Sequence, residues 1–512
     1  LTLSFVLLLL VAAAGPSAAK PGLGPRGWAP GDLPVTLSSA VVTAALWTAY
    51  LLGAVAVGLG LWRGVDSLQS RAGRAGWMRA HPWLWPAALG ALALLTAPIG
   101  SADHTNYAAY GRISAQGGDP YLVAPLTWAG GLDPVTSGVE PPWTMTPSVY
   151  GPFGTALQTL SSFVGQDNLR QTVWVWQLLV VAAWLLVRFV LRSAAGDDLA
   201  RGRIDLLWTA NPLVFGIAVL GAHVDLIATA MALAAVFLAA RRPWIAGLVL
   251  GATVSTKITF GIVGLAILWS WRSMARRDLV RNLIALAVSS LAVFVSLHVW
   301  AGPHVFEQLQ KAGKGVSLAT AWRPIVNLLS AVIPLDVART VVSAASVVAI
   351  IVLAWVLSQL VRPAASMRPD AWMRPSPSTS PEESTRQPVS AGQPASVSQR
   401  TQSAMTAMFV LATAYALGTT YALPWYDVLT WATLPLMLPA ALDGILLAQL
   451  AVMAMAYVPG RVVAMSADVE SLTLGFRKIV GPLAAWLVLL AIVGIARRGS
   501  TQVPPQPGPR TS

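Results

Sequence analysis

Apolar runs of about fifteen to twenty residues, separated by short polar stretches, recur along the whole chain. A run near 20 residues is what a helix needs to cross the hydrocarbon of a bilayer, and backbone groups in lipid must bond within their own segment. The pattern predicts helices over 1–19, 36–62, 83–101, 171–190, 206–221, 225–240, 243–256, 258–271, 282–300, 340–361, 404–422, 428–441, 444–457 and 479–496. The chain therefore reads as an all-α polytopic membrane protein with about 13–14 transmembrane helices. The short runs 243–256 and 258–271 also fit a broken or re-entrant pair. Run 1–19 ends in AAAGPSAA, so it reads as a partial membrane helix, with a cleaved signal segment as the competing reading.

Arginine clusters orient these helices, because cytoplasmic loops carry the excess of Lys and Arg. Arg63, Arg71, Arg74 and Arg79 fall between the second and third runs. Arg192, Arg201 and Arg203, then Arg241 and Arg242, then Arg272, Arg276, Arg277 and Arg281 mark further turns on the same side. The chain divides into N-terminal helices (1–101), an external loop with interfacial helices (102–170), a central transmembrane block (171–361), a Pro- and Ser-rich disordered cytoplasmic linker (362–403), C-terminal helices (404–498) and a disordered cytoplasmic tail (499–512). A loop as long as 102–170 is functional or disordered as a rule, and its aromatic content argues for order.

Composition agrees. Charged residues make up 11% of the chain against 55% hydrophobic, far from the quarter or so of charge in soluble domains. The net charge of +13 is accounted for by loops facing anionic headgroups, so nucleic acid is excluded as a partner. Cysteine is absent from the sequence, which removes disulfides and thiol chemistry.

The unusual polar groups collect on the external side. GSADHTNYAAYGRISAQGGDPY follows the third apolar run and delivers Asp103, His104, Tyr107 and Arg112. Further along come Trp143 and Tyr150, then His223 and Asp225 of GAHVD, Lys257 of STKITFG, Arg323, and Trp425 and Tyr426 of YALPWYD. A lysine between two short apolar helices is costly unless it snorkels or meets an anion. One carboxylate, several cations and aromatics suit transfer of a sugar from a lipid phosphate: the phosphate leaves without protonation, so one general base on the acceptor suffices. Asp103 with His104 is the candidate catalytic pair, and Tyr107, Arg112, Tyr150, His223, Asp225, Lys257 and Arg323 are candidate substrate contacts. No metal and no cofactor are expected, since His223 and Asp225 alone supply too few converging ligands. GRISAQGGDPY lacks the strand and helix context of a nucleotide loop.

The segments ADHTNYAAYGRISAQGGDPY, PWTMTPSVYGP and NPLVFGIAVLGAHVD resemble the GT-C superfamily, and within it the actinobacterial polyprenol-phosphomannose-dependent α-(1→6)-mannosyltransferases. The resemblance implies a GT-C-like fold whose long first external loop is catalytic, with Asp103 as the essential acidic residue. It further implies a bacterial plasma-membrane enzyme working at the external face. That enzyme would take mannose from a polyprenyl-phosphate mannose donor to a mannan or glycolipid acceptor of the lipomannan type, inverting the donor's configuration. Where the superfamily often carries an acidic pair, this chain has Asp-His. A transferase for another lipid-linked sugar, or a lipid-linked sugar transporter, is the alternative; the transporter would need polar groups near the bilayer midplane.

Overall fold

The computed structural model describes residues 1–63, 81–313, 315–364 and 396–500. These are helical throughout, with isolated bridges Ser17–Lys20 and Pro363–Met437 and, among the described residues, no strand. In chain order the helices are α1 (Thr2–Ala13), α2 (Ser39–Arg63), α3 (Leu84–Leu94), α4 (Asp103–Ala115), α5 (Pro152–Gly165), α6 (Leu169–Ala194), α7 (Asp198–Leu220), α8 (Val224–Ala239), α9 (Pro243–Val254), α10 (Ile258–Trp271), α11 (Arg276–Ala301), α12 (His304–Ala312), α13 (Trp322–Leu329), α14 (Leu335–Leu360), α15 (Val397–Gly418), α16 (Val428–Thr433), α17 (Ala441–Tyr457) and α18 (Ala467–Arg498).

Among the described residues six helices are long and apolar enough to cross a membrane: α2, α6, α7, α11, α14 and α18. Six shorter apolar helices, α1, α3, α8, α9, α10 and α17, pack with them. α7 and α8 form the centre, buried along almost their whole length. α11 and α14 lie outside and expose Val288, Leu291, Val348 and Ile351. Continuous apolar surface of this kind faces lipid rather than water. The chain is an all-α polytopic membrane protein.

Several boundaries differ from the periodicity. α1 stops at Ala13, and residues 14–19 leave the helix to reach a buried Lys20. α3 ends at Leu94, so Asp103 does not end a membrane helix but begins a separate one, α4. Pro98 and Gly100, at φ +80°, make the break, as a ring without an N–H and a left-handed residue do. α7 is interrupted mid-length: Asn211 accepts from Leu213 N at 3.0 Å and donates to Leu207 O at 3.1 Å. α15 starts at Val397, inside the expected linker, on a capping box in which Ser396 and Gln399 bond each other's backbone. The rest of that linker, 365–395, and the tail beyond 500 lie outside the described residues, as do Arg71, Arg74 and Arg79.

A buried ion pair ties α7 to α17. Arg203 donates to both oxygens of Asp443, at 2.8 and 2.9 Å, with both side chains buried. Removing one partner leaves the other charge uncompensated, which costs about 3–5 kcal/mol, whereas replacing both with apolar groups is near neutral. Asp443→Asn should therefore lower unfolding stability in detergent by that amount, and the double variant Arg203→Met/Asp443→Leu should recover most of it. Equal stability of wild type and Asp443→Asn would show that the pair carries no such cost.

Candidate functional site

The site is built around the junction between α7 and α8. Leu220 O accepts from Ile99 N at 2.8 Å, and Ala222 O accepts from Trp176 Nε1 at 2.7 Å. Ala222 sits at φ +52°, a left-handed bend that lets the chain turn out of α7 and start α8. His223 is consequently the N-cap residue of α8 and Asp225 lies in its first turn, where a carboxylate meets the positive end of the helix dipole.

α4 arrives on the same junction. Ser101 Oγ accepts the Asp103 backbone N–H at 3.0 Å, and the helical repeat puts Asp103 and Tyr107 on one face. Both reach His223: its Nδ1 lies 3.5 Å from Asp103 Oδ2 and 3.5 Å from the Tyr107 hydroxyl, the outer edge of hydrogen-bond range. Asp103 keeps 17% of its side chain exposed while His223 keeps 1%. The carboxylate is therefore reachable and the imidazole is not. The Trp425 ring stacks on His223 with centroids 3.6 Å apart and planes 14° from parallel.

Lys257 completes the cluster from the tip between α9 and α10. Its Nζ donates to Asp225 Oδ1 at 2.6 Å and sits 3.6 Å from the centroid of the Tyr426 ring. Two backbone bonds fix that tip: Gly151 N to Thr256 O at 3.0 Å and Phe153 N to Ser255 O at 2.8 Å. Gly151 is required here, since a Cβ would collide with the Ser255 carbonyl. The stretch 102–170 thus holds both Asp103 and the backbone next to Lys257.

The structure brings together Asp103, Tyr107, His223, Asp225 and Lys257, with Tyr150 behind Tyr107 at a ring separation of 5.0 Å, edge to face. The Tyr150 ring also lies 6.3 Å from that of Tyr110. Arg112 faces elsewhere, pairing with Asp133 at 2.9 Å and with Asp167; it organises the stretch 102–170. Arg323 begins α13, which docks on α15 through Trp322 Nε1 to Gly418 O at 2.8 Å, and Arg323 makes no hydrogen bond or ion pair to the cluster among the described residues. His104 is fully buried, and neither ring nitrogen has a hydrogen-bond partner among the described residues. Burial pushes its pKa down to about 3, so it stays neutral and is a poor proton acceptor. Among the described residues no three His, Asp or Glu side chains gather as a metal site.

Residues that the apolar pattern passed over hold the rim. Lys20, buried in the loop after α1, donates to Asp32 at 2.9 Å, and Asp32 also takes Arg170 of α6 at 2.7 Å. Arg461 grips Glu140 and the carbonyls of Ser17 and Lys20. The space between His223, Trp425, Tyr50, Ile99 and Tyr457 is about 10 Å³, room for about one water.

Comparison with known proteins adds to this geometry. The chain is 29% identical over 262 residues to "Alpha-(1->6)-mannopyranosyltransferase A" of Mycobacterium tuberculosis, covering 49% of this chain and 48% of that protein. It is 29% identical over 238 residues to "Probable alpha-(1->6)-mannopyranosyltransferase" of Mycolicibacterium smegmatis, covering 39% and 42%. It is 27% identical over 110 residues to "Alpha-(1->6)-mannopyranosyltransferase B" of Corynebacterium glutamicum, covering 20% and 18%. The chain thus spans about half the length, or less, of the curated relatives it matches. No solved structure matches it. A family model described as the alpha-(1->6)-mannopyranosyltransferase N-terminal domain matches residues 3–276, a stretch that contains α4, the α7–α8 junction and the Lys257 tip, and the chain belongs to that family, MptA_B.

Proposed function

We propose that this protein is a membrane mannosyltransferase that moves mannose from a polyprenyl-phosphate carrier to a hydroxyl of a mannan or glycolipid acceptor. The observation that carries the reading is the partly exposed Asp103 carboxylate held against His223, two residues before Asp225 and its Lys257 partner. Family membership and the names of the three relatives support the sugar and an α-(1→6) linkage. The arginine-rich turns at the other end support a site at the external face of a bacterial plasma membrane.

In this mechanism Asp103 takes the proton of the acceptor hydroxyl as its oxygen attacks the anomeric carbon. The bond from that carbon to the phosphate oxygen breaks on the opposite face, and the electron pair leaves with the polyprenyl phosphate. A β-linked donor therefore gives an α-mannoside. Lys257, paired with Asp225 beside the Asp103–His223 contact, stabilises the negative charge that develops on the leaving phosphate. His223 positions Asp103 from its buried side.

The test is transfer of labelled mannose from polyprenyl-phosphate mannose to an α-mannoside acceptor, in membranes with matched expression. Asp103→Asn should lower the rate by at least about a hundredfold, the lower range for loss of a general base. Transfer at the wild-type rate would remove Asp103 as the base, and no transfer by wild type would remove the donor assignment.

Lys257 gives a second measurement. Lys257→Met should raise the donor KM and lower kcat, while Lys257→Arg should keep a measurable part of both, because it preserves the charge on Asp225. Equal loss in the two variants at equal expression would favour a purely structural pair.

A further inference from the structure

The last long helix carries a cation to which the mechanism above gives no task. Arg477 is the second residue of a π-helical turn, Phe476–Val480, within α18, and turns of this kind recur at functional sites. Its Nε donates to Ala456 O at 2.8 Å, and its guanidinium sits 4.4 Å from the centroid of the Tyr457 ring. These contacts turn Arg477 inward onto the C-terminal end of α17, whereas the next residue, Lys478, is exposed. Among the described residues no Asp or Glu pairs with Arg477, and its two Nη groups make no hydrogen bond. An arginine at the start of a long apolar run is costly without an anion. The tyrosines beside it do not supply one, since a phenol is uncharged at neutral pH.

Tyrosines connect this arginine to the candidate site. The charges of Asp103 and Arg477 both act on the Tyr421 hydroxyl. The Tyr421 ring lies 6.3 Å from that of Tyr426, on which Lys257 rests. Tyr457 lies 6.4 Å from Trp425, the ring stacked on His223. A row of aromatic rings thus has Lys257 at one end and Arg477 at the other. The two cations differ in one respect: Lys257 is paired with Asp225, and Arg477 is paired with no acid. Two carboxylates, Asp103 and Asp225, already face the Lys257 ammonium, so a phosphate joining them meets repulsion unless a further cation takes part. We infer that Arg477 binds the phosphate of the polyprenyl carrier, presenting its free Nη groups as a fork to the phosphate oxygens. Ile479, Val480 and Leu483, at the start of the apolar run of α18, are exposed and give the carrier's chain a surface to follow out of the bilayer. The inference rests on the transfer reading and adds to it the cation that no protein carboxylate neutralises.

Binding of a short-chain polyprenyl phosphate to the purified full chain, followed alongside mannose transfer, tests it. Arg477→Gln removes the charge and keeps a donor for the Ala456 carbonyl. It should weaken polyprenyl-phosphate binding and raise the donor KM by about tenfold or more, the loss of one charge-assisted hydrogen bond, with the acceptor KM unchanged. Arg477→Lys should recover part of both, and Lys478→Gln should match wild type. Millimolar inorganic phosphate should not displace the carrier. Binding of the carrier by Arg477→Gln at wild-type affinity would overturn the inference and leave Arg477 as a cap on α17; no binding by wild type would overturn it too. Displacement by inorganic phosphate would overturn the lipid assignment in favour of a free phosphate. The two arms fail separately: a wild type that binds the carrier and transfers no mannose overturns the transfer reading, while binding by Arg477→Gln still decides the phosphate contact. If Arg477→Gln fails to fold, a carrier with a photoactivatable group beside its phosphate decides on the wild type. Crosslinks to Tyr457 or within 476–480 support the contact, and crosslinks elsewhere refute it.

Discussion

Every feature of the candidate site hangs from the way three carbon–oxygen dipoles are used at the end of α7. A helix that ends inside a protein leaves carbonyls without intrahelical donors, and these must be met by something. Here the Leu220 carbonyl takes the N–H of Ile99 and the Ala222 carbonyl takes the indole of Trp176. The Ala218 carbonyl takes the N–H of His223, at 3.3 Å. These bonds bring the approach to α4, the body of α6 and the start of α8 to one point. With that point set, Asp103, His223 and Asp225 have little freedom in where they emerge.

Charge does the equivalent work around the rim. Lys20 and Arg461 are buried, and a buried cation is tolerated only when it is paired and hydrogen-bonded. Lys20 meets Asp32, which in turn meets Arg170, while Arg461 meets Glu140 and two carbonyls of the 17–20 turn. Segments far apart in sequence, 17–32, 140, 170 and 461, are thereby bound into one collar. None of these partners is predictable from local pattern, since each acid finds a base more than ten positions away.

That difference in range explains what was legible beforehand. Apolar periodicity located most of the helices, because a run of leucine, valine and alanine in lipid has no other way to satisfy its backbone. It also singled out the stretches from which Asp103, Tyr107, His223, Asp225 and Lys257 come, because polar groups beside long apolar runs stand out. Boundaries went astray where a few residues override the run: Pro98 with Gly100 separating α3 from α4, and Ser396 with Gln399 starting α15 early. The second was readable as Ser-x-x-Gln, yet the surrounding Pro- and Ser-rich composition masks it. Pairings were not readable at all. Arg112 was read from the sequence as a substrate contact, but Asp133 and Asp167 claim it from the folded loop.

The pairing of Lys257 with Asp225 bears directly on the chemistry proposed for it. A lysine among apolar helices is stable only beside an anion, and between visits of a substrate that anion has to come from the protein. Asp225 serves, and it is itself held by the N-terminal end of α8 and by burial of all but 4% of its side chain. In the proposed reaction, a lipid phosphate entering beside Tyr426 exchanges one anion for another instead of meeting a bare charge. The phosphate binds by the difference between two ion pairs, not by the full strength of one, and release after transfer is correspondingly easier. Asp225 thus keeps Lys257 in place when the site is empty and offers it a partner to return to once the carrier leaves.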